Sequence, residues 1–158
     1  MHRAIAAVAL LLFAACGGGG GGDHSACGPV RRERLDPSSA VHLLPGAPAP
    51  EYRSDPPTSG AHSSARPPAG ALRASLSRPD QVAVLETGAV LVQYRDLEPD
   101  QRRRLEDLAG EGVTVAPNGD LPARVVATAW TVKLECSRVE LDALRGFVRD
   151  HRGTSLHQ

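Results

Sequence analysis

The chain has 158 residues, equal numbers of acidic and basic side chains, and 3% aromatics. Balanced charge leaves no electrostatic footprint for nucleic acid, and so few rings make no stacking platform for sugars or single strands. About one domain's length of chain must build its core mostly from Val, Leu and Ala.

Met1-His2-Arg3 is positively charged, Ala4 to Phe13 is an unbroken apolar run, and Ala14-Ala15 precede Cys16. The run is too short to span a bilayer, so residues 1–15 read as a secretory signal. A cysteine directly after the small residues resembles the lipobox of bacterial lipoproteins, although Phe13 stands where leucine is commonest. There the peptidase cuts before the cysteine, and the thiol carries a diacylglycerol. The resemblance implies an extracytoplasmic lipoprotein anchored to the cell membrane by palmitate-like chains on Cys16. One chain holds only marginally, and two or three hold stably. A plain secretory signal with a later cut is the alternative. Loss of Arg3 with the signal leaves a net charge near −1. Gly17 to Gly22 reads as a leash, and residues 16–40 as a flexible linker.

With Cys16 lipidated, Cys27 and Cys136 remain. Outside the cytoplasm an even remainder reads as a disulfide. It would close a loop of roughly 110 residues, worth about 4–5 kcal/mol in chain-entropy terms. Two free thiols or a metal pair are the alternatives, but neither CxxC nor a Cys/His cluster is present.

From Val41 to Pro79, prolines 45, 48, 50, 56, 57, 67 and 68 exclude helix and disfavour a central strand. This half is expected to wrap the remainder. Val82 to Leu85 reads as a strand, and Ala89 to Tyr94 as a buried central strand. Pro99 opens a helix bearing Leu105, Leu108 and Ala109, with Arg102-Arg103-Arg104 on its solvated face. Val113 to Ala116 is a strand, and Pro117-Asn118-Gly119-Asp120 a turn. Arg124 to Glu135 alternates, with Val126, Thr128, Trp130, Val132, Leu134 and Cys136 on one side and Thr131, Lys133 and Glu135 toward water. Ser137 and Glu140 suggest a capping box before a helix striped with Leu141, Leu144, Phe147 and Val148. The expected fold is α+β: a small mixed sheet with two helices on one face, wrapped by the proline-rich extended segment. The domain is expected over residues 41–153, with 154–158 as a tail.

His42-Leu43-Leu44-Pro45-Gly46, Tyr52, and Pro56-Pro57-Thr58-Ser59-Gly60-Ala61-His62 form one familiar segment. Leu85-Glu86-Thr87-Gly88 with the strand after it, Ala116-Pro117-Asn118, and Thr128-Ala129-Trp130 follow in order. Together they resemble a bacterial family, domain of unknown function 3105, over roughly residues 27 to 153. Its members are typically secreted or membrane-tethered, with no established activity. The family usually reads His-X-Leu-Glu-His-Gly before the central strand, and here Ala83 and Thr87 replace both histidines. Two histidines four apart, a glutamate and a distant third histidine can hold a metal. This chain keeps His62 and Glu86, with His42 as a further neighbour, so the resemblance argues against an intact centre.

Each residue also has a structural reading. His62 can hold loop backbone, Glu86 can accept N–H groups at the turn before Gly88, and Thr58-Ser59-Gly60 can be a capped turn. His24 and His157 stand near the chain ends and carry little signal. No nucleophile–base pair is visible, so no catalytic residue and no enzyme are expected. The sequence points to a non-enzymatic binding or interaction module of the cell envelope, with no cofactor and an unidentified protein or small-molecule partner. The alternative is a copper- or zinc-binding protein with a degenerate site.

Overall fold

The computed structural model describes residues 25–48 and 50–155. The signal, Cys16 and the glycine run lie outside the described residues. In chain order the elements are β1 (Arg31–Arg32), β2 (His42–Leu43), β3 (His62–Ser63), β4 (Gly70–Ala71), α1 (Arg78–Glu86), β5 (Val90–Tyr94), α2 (Pro99–Glu106), β6 (Val113–Pro117), β7 (Val125–Ala129), β8 (Val132–Cys136) and α3 (Leu141–His151). Six strands make a mixed sheet in the order β1-β8-β7-β5-β6-β4, and β2 with β3 forms a separate pair. β5, α2 and β6 make the parallel crossover, while β7 and β8 are antiparallel. The architecture is α+β, as the sequence implies.

Alternation along the strands sorts side chains onto two faces. Val90, Val92, Val115, Ala127 and Leu134 pack with Leu105 of α2 and with Leu144 and Phe147 of α3. These are the two helices expected on one face. On the other face, Leu91, Ala116 and Trp130 meet Val82, Val84 and Leu85 of α1. Proline-rich chain also covers that face: Lys133 Nζ donates to the Asp55 carbonyl at 2.8 Å, and the Thr131 N–H to the Thr58 carbonyl at 3.0 Å.

Several local expectations are corrected. Val82 to Leu85 is helical, not a strand. Ser77 caps that helix by accepting the Asp80 N–H at 3.3 Å, and Pro79 sits in the first turn, where its missing donor does no harm. Arg124 to Glu135 is two strands that fold back at Trp130 and Thr131, with Thr131 at φ 58°. The fold-back changes parity. Val126 and Thr128 stand opposite Gln93 and Leu91, while Val132, Leu134 and Cys136 belong to the core under α2 and α3. Lys133, expected toward water, is 2% exposed, and burial lowers its pKa against the pull of Glu33. The capping box does not form; the Ser137 N–H and Oγ both donate to the Ala26 carbonyl, at 2.8 and 3.1 Å. Residues 25–40 are not merely linker. The disulfide joins Cys27 to Cys136, β1 pairs with β8, and Asp36 and Ser39 are buried.

Candidate metal centre

The proline-rich wrap sets two imidazoles side by side. β2 and β3 run parallel with His42 opposite His62. The His62 N–H donates to the Val41 carbonyl at 3.0 Å, and the Ser64 N–H to that of Leu43 at 3.2 Å. The two rings meet edge-on, 4.6 Å between centroids and 70° between planes.

A polar turn holds this pair in place. The Asp36 carboxylate accepts the Ser38 N–H at 2.9 Å and the Ser38 hydroxyl at 2.7 Å. Ser38 Oγ accepts the Ala61 N–H at 3.0 Å, and Ser59 Oγ the Asp36 N–H at 3.0 Å. Burial works against the Asp36 charge, yet the Ser38 bonds outweigh it and lower its pKa. Gly60 sits at φ 130°, and a Cβ there would lie 2.9 Å from the Tyr52 ring. The Tyr52 hydroxyl donates to the Ala61 carbonyl at 2.7 Å. The loop before His62 is therefore fixed on both sides.

Glu86 closes the arrangement from α1, where it is the last residue. Its Oε2 lies 3.7 Å from His62 Nε2. One ligand atom from each of His42, His62 and Glu86 falls within 4.8 Å of the others. His62 is 1% exposed, Glu86 is half-buried and His42 is exposed, so the site opens on the His42 side.

The protonation pattern follows from the partners. His62 Nδ1 lies 3.0 Å from the Gly60 carbonyl. A carbonyl only accepts, so Nδ1 carries a proton, and Nε2 is the nitrogen left to offer a lone pair to a metal. That nitrogen is buried and has no hydrogen-bond partner among the described residues. It faces the Glu86 carboxylate at 3.7 Å, a pairing that a proton on Nε2 or a metal ion between the two groups would satisfy. A backbone bond to the far ring nitrogen is also how metal-binding histidines are oriented. Two imidazoles and a carboxylate suit zinc or copper with a position left open. Ligands about 2.0–2.2 Å from a tetrahedral ion stand roughly 3.4 Å apart. The His62–Glu86 gap of 3.7 Å is near that value, and the three ligand atoms lie within 4.8 Å of one another.

The three residues that the sequence left scattered thus come together. The loop-backbone reading of His62 holds for Nδ1 and leaves Nε2 to be accounted for. At the turn after α1 the Gly88 N–H donates to the Leu85 carbonyl at 2.9 Å. Thr87 donates its hydroxyl to the Val84 carbonyl at 2.7 Å, and Ala83 is buried. Sequence reasoning missed the Gly60 carbonyl and the Asp36–Ser38 turn. Asp36 and Ser38 carry an Asx-turn signal, but they fell within the expected linker.

Fold and site define a small α+β domain that presents a histidine–carboxylate cluster between its proline-rich wrap and α1. The family described as "Protein of unknown function (DUF3105)" matches residues 48–157, more than half of the chain, and the protein belongs to that family. Neither the curated proteins nor the solved structures yield a match. Among the described residues, no helix is long and apolar enough to cross a membrane.

Proposed function

We propose that this protein is a non-enzymatic metal-binding lipoprotein of the cell envelope, anchored through Cys16. Its cargo is a divalent transition metal, zinc or copper, held by His42, His62 and Glu86. The observation that carries the reading is His62 Nε2: buried, without a hydrogen-bond partner among the described residues, and 3.7 Å from a carboxylate oxygen. The Cys27–Cys136 disulfide agrees with an oxidising compartment outside the cytoplasm.

Equilibrium dialysis of the purified chain against Zn²⁺ and Cu²⁺ tests the metal. One tightly bound ion per chain is expected for the wild type. His62→Ala should weaken binding by well over tenfold, since loss even of a ligand's outer partner costs about 10–100-fold. Less than one tightly held ion per wild-type chain would end the proposal.

A further inference from the structure

The direction of crossover reverses at β5. The chain leaves β4 through α1, which packs on the face of Leu91 and Trp130, and skips β6 to reach β5. It leaves β5 through α2, whose Leu105 packs on the opposite face, and returns to β6. β4, β5 and β6 are parallel, so their carboxyl ends lie together. The connections from the two flanking strands depart to opposite sides of the sheet and leave a crevice above the end of β6. Open sheets with parallel strands hold their ligands in such a crevice.

A cleft of about 240 Å³ occupies that place, lined by Ala71, Leu72, Arg73, Tyr94, Arg102 and Glu106. The arginine triplet of α2 divides here. Arg103 pairs with Asp100 along the helix, whereas Arg102 lines the cleft with its Nε 3.7 Å from Glu106 Oε1. The buried Tyr94 hydroxyl donates to the same oxygen at 3.2 Å. Burial, with the Glu106 charge beside it, raises the Tyr94 pKa and keeps the phenol a donor. Arg73 is exposed and has no hydrogen-bond or ion-pair partner among the described residues.

We propose that this cleft binds a small carboxylic acid as its singly charged anion, anchored by Arg73 and Arg102. A guanidinium fork meets a carboxylate with two parallel hydrogen bonds. Arg73, Arg102 and Glu106 sum to one positive charge, which a single carboxylate neutralises and a doubly charged phosphate exceeds. Tyr94 holds Glu106, and Glu106 holds Arg102 toward the cleft. Ala71 and Leu72 offer an apolar wall to the carbon chain. Tyr94 shares a register row with Val125 and Cys136, at the end of β5 far from Glu86, so the cleft is separate from the metal site.

Calorimetry of the metal-free, full-length chain with propionate tests the cleft. One saturable site is expected in the wild type. Propionamide, which has the same shape without the charge, should bind at least about tenfold more weakly, as should propionate to Arg73→Gln and to Arg102→Gln. Inorganic phosphate should bind the wild type more weakly than propionate does, and Glu106→Gln should narrow or reverse that order. His62→Ala should bind propionate as the wild type does. No saturable propionate binding, unchanged affinity in both arginine variants, or a loss in His62→Ala overturns the inference. Phosphate binding the wild type as tightly as propionate overturns the assignment to a carboxylate.

Discussion

Tyr52 shows how single side chains hold the site without touching a metal. Its ring blocks any side chain at position 60, and its hydroxyl secures the carbonyl next to His62. Burial, reinforced by Asp36 and Asp80 against the pull of Arg78, pushes its pKa up from 10.0 to about 12. The folded state therefore keeps the proton where the unfolded chain releases it. This contribution is intact below pH 10.0 and is lost as pH rises toward about 12. Tyr52→Phe should be less stable by about 1 kcal/mol near neutral pH, the worth of one hydrogen bond. Urea unfolding of both proteins across the alkaline range should show the gap closing; a gap of constant size would contradict the account. At this scale the sequence named His62, Glu86 and His42 but not the ring tautomer. The proton on Nδ1 is set by the Gly60 carbonyl, and that contact exists only once the loop has closed.

At the scale of elements, what was legible depended on how local the signals were. The central strand, the helix after Pro99 and the striped last helix each carry their own apolar pattern, and each is found within a few residues of its expected place. Val82 to Leu85 was ambiguous because four consecutive buried apolar residues fit a strand or a helix enclosed on all sides. The arbiter was upstream, in Ser77 and Pro79. The hairpin between β7 and β8 turns on Trp130 and Thr131, neither of them a turn former, so nothing announced the change of parity that buries Lys133. Ser77→Ala tests α1 as a unit. Removing the cap should cost about 0.5–2 kcal/mol in urea unfolding. Metal affinity should hold, because Glu86 lies at the far end of the helix. A loss of affinity in a folded Ser77→Ala protein would show that the site depends on more than the last turn.

Across the whole molecule, the site exists because distant segments meet. His42 and His62 pair through strands of two residues each, which no periodicity can reveal. β3 is held by the Asp36 turn, through Ser38 and Ala61, and by α1 packed against it. The proposed lipid anchor is also a whole-molecule matter. Cells grown with a labelled fatty acid should label the wild-type protein and leave Cys16→Ser unlabelled. Label persisting in that variant, or absent from the wild type, would remove the anchor from the account.

The Cys27–Cys136 bond also decides which way an anchored body would hang. Cys136 closes β8 beside the finish of β5, whereas Glu86 precedes the start of β5 and Thr131, at the β7–β8 turn, holds the Thr58 loop. A tether upstream of Cys27 thus pulls on one pole of the sheet while the imidazoles occupy the other. Tension in such a leash would pass through a covalent link into β8 before it could reach the strands that carry His42 and His62.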